Sequence, residues 1–303
     1  MIEFRAEISP SLVEPLEECL NEMVRCPWGL TQPLLTGPYQ LFGYFEKTAA
    51  AHAAWKKLRA AFPALPPLPV ESTLADRDWK EAYKKHLHPW TAGDLHWVPV
   101  WRKNSYKLPR GHHRLLFDAG LAFGTGDHPT TRLMALRLLD FRAAVGPAHF
   151  AQAQIVDAGC GSGILGLSAV LLGARRVFAF DRDPEAVRVS GENLKLNQLD
   201  KKAIEFSPAG LEAALQNRTA ELLLANIQAD VLGIHADDLA RVIVPGGTLA
   251  LSGILAPEVN DVRRKFAPVL KKLWRSSIPT GLAKFGDSRV LGDWCDLVFQ
   301  RPA

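Results

Sequence analysis

Apolar positions in residues 1–75 follow a two-residue period in some stretches and a helical one in others. Residues 3–8 alternate as a strand does. Ser9-Pro10-Ser11 opens a helix with Leu12, Leu16, Cys19, Leu20 and Met23 on one face. Leu34-Leu35 and residues 39–45 predict a pair of strands around Thr36-Gly37-Pro38. Residues 48–62 are Ala-rich, with Trp55, Leu58 and Phe62 at helical spacing, and Val70-Glu71-Ser72 predicts a last short strand. Before that strand, the prolines of Pro63-Ala64-Leu65-Pro66-Pro67-Leu68-Pro69 stop the helix and forbid another. The order strand-helix-strand-strand-helix-strand is that of a small ferredoxin-like α+β domain.

Residues 76–105 read as a linker. Asp76 opens a helix bearing Trp79, Tyr83 and Leu87 on one face, His88-Pro89 ends it, and residues 95–101 are aromatic and extended. Packing between domains accounts for so apolar a connector. In residues 106–303 strand-like and helical runs alternate. The strands are expected at residues 154–157, 176–181, 204–206, 222–227 and 247–251. Such alternation argues for an α/β domain with a mostly parallel sheet and helices on both faces.

Composition adds limits. The chain has 303 residues, 48% of them hydrophobic and 22% charged, within the soluble globular range. The formal net charge of +4 is a mild basic bias without a long Lys/Arg run. Cys19, Cys26, Cys160 and Cys295 form no C-x-x-C pair, which fits a reduced, cytoplasmic protein. The first residues are acidic where a signal peptide is basic and then apolar, and no stretch reaches membrane-spanning length, so no membrane partner is expected. The nine His show no metal spacing and read as structural or surface residues.

One motif carries chemistry directly. Asp157-Ala158-Gly159-Cys160-Gly161-Ser162-Gly163 joins a strand to a helix through a glycine turn. Glycines allow a sharp turn and close approach of a ligand, and this end of a strand is where ligands bind in open α/β sheets. Gly161, Gly163 and Gly166 also satisfy the dinucleotide pattern, with Asp181 20 residues after Gly161. Asp157 argues against NAD, because a carboxylate beside the turn repels a pyrophosphate. S-adenosylmethionine has no phosphate, and its ammonium group is attracted by a carboxylate directly or through water. Asp181, ending the next strand, can accept both ribose hydroxyls of either cofactor; the plainer alternative is a surface acid at the turn Asp183-Pro184. Cys160 reads as a filler beside the glycines.

Two further stretches belong to the target side. Phe123-Gly124-Thr125-Gly126-Asp127-His128-Pro129-Thr130-Thr131 is a glycine-containing loop before a helix at residues 132–139, with Thr130 or Thr131 as its cap. Leu222-Leu223-Leu224-Ala225-Asn226 is a buried strand ending in an amide at the same crevice. The Asn226 carbonyl can accept from an attacking amine and so aim its lone pair; equally, Asn226 can cap a turn.

Taken together, residues 121–131, the loop at 157–165, Ala225-Asn226-Ile227, Ser252-Gly253-Ile254-Leu255 and Trp294-Cys295 resemble the bacterial ribosomal protein L-eleven methyltransferase family. The resemblance runs from about residue 76 to the end, and across residues 1–75 it rests on element order. It implies a ferredoxin-like recognition domain (1–75), a linker (76–105) and a Rossmann-like class I methyltransferase domain (106–303). It implies S-adenosylmethionine as cofactor, no metal, and lysine side-chain and N-terminal amines of the L-eleven protein as substrate, with the ribosome as a further contact. By position, the implied cofactor contacts fall on Thr131, Gly159, Asp181 and Asn226, to which the loop itself adds Asp157, Gly161 and Gly163. Asn226, Phe123 and Thr131 are the expected catalytic residues, Phe123 as part of an active-site cover. Asp127, Gln228 and Asp118-Ala119-Gly120 depart from the family's usual residues, and Asp127 alters charge at the active-site loop. The rival readings are a related protein-lysine or small-molecule methyltransferase and a non-catalytic ribosome- or RNA-binding protein.

Overall fold

The computed structural model describes residues 2–21, 27–31, 38–73, 88–117, 128–275 and 285–303. The chain divides into two compact units, Met1–His86 and Leu87–Ala303. In the first, strand β1 (Ile2–Ile8) buries Ile2, Phe4, Ala6 and Ile8 on one face. Helix α1 (Val13–Asn21), β2 (Trp28–Thr31), β3 (Tyr39–Phe45), α2 (Thr48–Ala61) and β4 (Val70–Thr73) follow. The sheet order is β2-β3-β1-β4, antiparallel throughout, which is the ferredoxin-like arrangement. Leu16 and Leu20 of α1 and Trp55 and Leu58 of α2 cover the apolar face of β1 and fill the core. The second strand sits at Trp28–Thr31, earlier than the leucine pair suggests; Leu34-Leu35 and the helix expected from Asp76 lie outside the described residues.

In the second unit, part of the expected linker builds a sheet. Strands β5 (Trp90–Ala92), β6 (Leu95–Pro99) and β7 (His113–Phe117) pair in that order. Trp90 and Trp97 stack at 3.7 Å, and Trp97 Nε1 donates to Ser168 Oγ at 2.9 Å. The aromatic residues are thus tied into this unit, as large amphipathic rings are when their N–H finds a partner.

The main sheet holds β8 (Ile155–Ala158), β9 (Val177–Asp181), β10 (Ile204–Pro208), β11 (Ala220–Asn226), β12 (Ile243–Leu255), β13 (Val290–Leu291) and β14 (Trp294–Gln300). Its order is β10-β9-β8-β11-β12-β14-β13, parallel from β10 to β12, with β14 antiparallel to β12. Helix α3 (Pro129–Phe150) precedes them, and between them run α4 (Ile164–Leu171), α5 (Pro184–Leu196), α6 (Leu211–Leu215), α7 (Ala229–Ile234), α8 (Ala236–Arg241) and α9 (Val259–Trp274). The chain leaves β8 toward β9 on one side and returns to β11 on the other. This reversal is the switch point of a Rossmann-like sheet, where a crevice opens at the carboxyl ends of the strands. Successive strand side chains point to opposite faces. Val156 and Ala158 join a core with Leu239, Phe266, Leu270 and Trp274 from α8 and α9, so Asp157 faces the other way, toward α4.

Helix α3 starts three residues earlier than residue 132, and its cap is neither threonine. His128 is the N-cap, accepting from Thr130 N, with Pro129 in the first turn. Proline suits that position, where its missing N–H costs nothing. A buried ion pair ties α3 to β14: Arg137 Nε and Nη2 donate to Asp296 at 2.7 and 2.8 Å, while Nη1 reaches the exposed Asp287 at 2.5 Å. Among the described residues no helix is long and apolar enough to cross a membrane.

Candidate active site

The glycine turn takes its shape from backbone and neighbours together. Gly159 N and Cys160 N both donate to Phe180 O at 2.9 Å, pulling the loop over the end of β9. Gly159 has φ +71°, and a Cβ there would lie 2.6 Å from Ile227 Cγ2, so glycine is required on both counts. Two side chains of α5 hold the loop carbonyls: Ser190 Oγ donates to Gly161 O at 2.8 Å and Asn193 Nδ2 to Ser162 O at 2.9 Å. Both are buried. The sequence reading did not single them out. The signal is polar residues at i and i+3 within a stripe otherwise made of Ala186, Val189 and Leu194.

Asp157 is 1% exposed, and its Oδ2 accepts from Gly166 N at 2.8 Å. Burial pushes its carboxyl up to about 7, against the Gly166 hydrogen bond, which pulls it down. The sequence suggested attraction of a ligand ammonium, directly or through water; the structure places the Asp157 carboxyl beneath the turn, against the first turn of α4. Here the protein's own carboxylate takes the helix amide and offsets the helix dipole.

Asp181 ends β9 with both oxygens oriented. Oδ2 accepts from Gly161 N and Oδ1 from Asp183 N, each at 3.0 Å. A carboxylate has about four acceptor sites, so one per oxygen remains for a ligand hydroxyl. Cys160 is buried, and burial pushes its thiol well above the ordinary range, which suits a filler rather than a nucleophile.

A cavity of about 1040 Å³ opens at these strand ends. Gly159, Gly161, Asp181 and Asn226 line it, together with His128 and Trp294, whose rings meet edge-on at 4.8 Å. Asp157, Gly163 and Thr131 do not line it. Gly163 caps α4 with φ +80°. Thr131 is 1% exposed, and its Oγ1 accepts from Asn226 Nδ2 at 3.3 Å. With its nitrogen tied to Thr131, Asn226 has its carbonyl oxygen left to accept from a ligand. His128 enters through its place before α3: Nδ1 lies 2.7 Å from Thr130 Oγ1. Phe123 and Asp127 lie outside the described residues.

The donor set of the cavity fits S-adenosylmethionine. It offers a carboxylate at the β9 end for ribose hydroxyls and glycine backbone for close approach. Comparison with known proteins gives the same picture. A family model described as "Ribosomal protein L11 methyltransferase (PrmA)" matches residues 21–276. Curated relatives carry the name ribosomal protein L11 methyltransferase. The one from Azotobacter vinelandii is 37% identical over 238 residues, covering 78% of this chain and 76% of its own. The one from Pseudomonas putida KT2440 is 34% identical over 282 residues, covering 88% and 91%. The alignment with a Pseudomonas aeruginosa relative, 40% identical over 196 residues, spans 62% of that protein. A crystal structure described as ribosomal protein L11 methylase from Lactobacillus delbrueckii subsp. bulgaricus superimposes with TM-score 0.58 and 27% identity, over 71% of this chain and all of that one.

Proposed function

The chain belongs to the ribosomal protein L11 methyltransferase family, and from that premise we propose that it transfers methyl groups from S-adenosylmethionine to lysine side-chain and N-terminal amines of ribosomal protein L11. The observation that carries the cofactor reading is Asp181 at the end of β9, which lines the cavity and is oriented by Gly161 N and Asp183 N with an acceptor site left on each oxygen.

When bound, the sulfonium supplies an already activated methyl group. The protein's work is then to hold the two partners. Asp181 accepts the ribose hydroxyls, and the Gly159–Gly161 backbone lies along the ligand. Asn226 accepts a hydrogen from the incoming amine and aims its lone pair, while Thr131 holds the Asn226 amide from behind. A free lysine has a pKa of about 10.4 and arrives protonated; entry into a desolvated crevice favours the neutral amine. Alignment of nitrogen and methyl carbon at about 3–3.5 Å supplies the main acceleration. His128 and Trp294 border the amine side of the cavity, and Phe123 belongs to its cover. Recognition of L11 falls to the ferredoxin-like unit, and the reaction takes place in the cytoplasm, where ribosomal proteins are made.

The test is transfer of labelled methyl from S-adenosylmethionine to ribosomal proteins of undermethylated cells, resolved by mass. Label on L11 is expected. Label on another protein would keep the reaction and overturn the substrate. No label, with S-adenosylhomocysteine binding intact, would favour a binding protein that keeps the fold.

A further inference from the structure

A second concavity, of about 640 Å³, lies at the opposite end of the main sheet. It opens at the amino ends of β8, β9 and β10, beside Ile155, Val177 and Ile204. Those strands are four or five residues long, which puts it roughly 15 Å from the glycine turn. Arg175, Arg176, Lys201, Lys202 and Arg218 line it. Among the described lining residues the one carboxylate is Glu205, and Arg218 already holds it at 2.7 and 3.1 Å. Glu221, one strand away, is engaged by His149 at 2.5 Å and by Gln154 N. The chain as a whole carries only +4, so these cations concentrate charge at one place.

We infer that this concavity is a docking site for the phosphate backbone of RNA. Arg175, Arg176, Lys201 and Lys202 are exposed, so their charges are available to a partner. Arginine presents a planar fork that matches phosphate oxygens, and lysine adds a mobile point charge. The Arg218 guanidinium lies over the buried Phe178 ring, 3.7 Å from its centroid. A concave wall of this size receives a strand with discrete phosphates better than it receives a flat bilayer. The choice of RNA rests on the proposed ribosomal-protein substrate, whose surroundings are RNA. Because the concavity is remote from the methyl-transfer cavity, the site tethers the enzyme without touching the reaction.

The test uses the full chain and a labelled 20-nucleotide single-stranded RNA, read by fluorescence anisotropy across a salt series. Engagement of about four phosphates gives a slope near −3 in log affinity against log salt. The variant R175A/R176A/K201A/K202A is expected to lose at least tenfold in RNA affinity and to flatten that slope. It should keep wild-type S-adenosylhomocysteine affinity, which also reports that it is folded. The K201E/K202E pair, which changes the net charge equally at two positions, should lower RNA affinity in the same direction. Wild-type RNA affinity in both variants, or a slope near zero in the parent, would overturn the site. Cation-dependent binding to phosphatidylglycerol vesicles without binding to RNA would overturn the RNA assignment. The readout does not use methyl transfer, so failure of the proposed reaction and failure of this site are told apart.

Discussion

Substitution of Asp157 by Asn isolates what this carboxyl does under the turn. In the folded chain its pKa is raised from 3.8 to about 7, chiefly by burial. Between those values the folded state holds a proton that the unfolded state has released. Stability from this group is therefore complete at low pH and is lost as pH rises through 7. From pH 5 to pH 8 the loss is about 2.5 kcal/mol. Asparagine does not titrate, and its amide oxygen can still accept from Gly166 N. The destabilisation of Asp157→Asn relative to the parent should thus be larger at pH 5 and shrink by about 2.5 kcal/mol at pH 8. Urea denaturation at the two pH values measures it. A gap that stays constant, or widens at pH 8, would refute the buried placement. The same variant tests the ligand side. Direct contact with a ligand ammonium would be worth about 1.5–3 kcal/mol, a loss of ten- to over a hundredfold in affinity. The geometry predicts less than tenfold, measured by calorimetry with S-adenosylhomocysteine.

Three other outcomes follow from the same contacts. Asp181→Ala removes the acceptor of Gly161 N and Asp183 N together with that of the ribose, and should weaken S-adenosylhomocysteine binding about 30-fold or more in the same calorimetric assay. Gly159→Ala puts a Cβ against Ile227 at a left-handed φ; a cost of about 1–2 kcal/mol should appear as roughly tenfold weaker cofactor binding, with thermal stability also reduced. Arg137→Ala leaves Asp296 buried without its cation and should cost about 3–5 kcal/mol, seen as a melting temperature lower by about 10 °C, with cofactor affinity per folded molecule unchanged.

The parts of the fold legible in the sequence are those where a local pattern and a backbone requirement coincide. The glycine turn is legible because Gly159 and Gly163 need positive φ, and Asp181 because it directly ends the apolar run Val177-Phe178-Ala179-Phe180. The second strand lies earlier than the apolar pattern predicts: Leu34-Leu35 is the more apolar pair, whereas Trp28–Thr31 carries a glycine that dilutes its signal. The helix cap went to a threonine because threonine is the commoner cap, while His128 takes the position through its ring nitrogen. The aromatic stretch at residues 95–99 reads as a connector, because its pairing with residues 113–117 is not local. Asp157 shows the same limit more sharply. Its strand period says which face it points to, but not that Gly166 N, nine residues on, would meet it. Ser190 and Asn193 carry no motif and become visible only when α5 lies against the loop.

In the proposed mechanism the methyl group passes to its acceptor beside Asn226. The most direct measurement is the initial rate of methyl transfer to purified L11 by Asn226→Ala at saturating S-adenosylmethionine. A fall of about 100-fold is predicted, the order expected when a reacting nitrogen loses its alignment. An undiminished rate, with ordinary cofactor affinity, would contradict the claim and move the reacting amine elsewhere in the cavity.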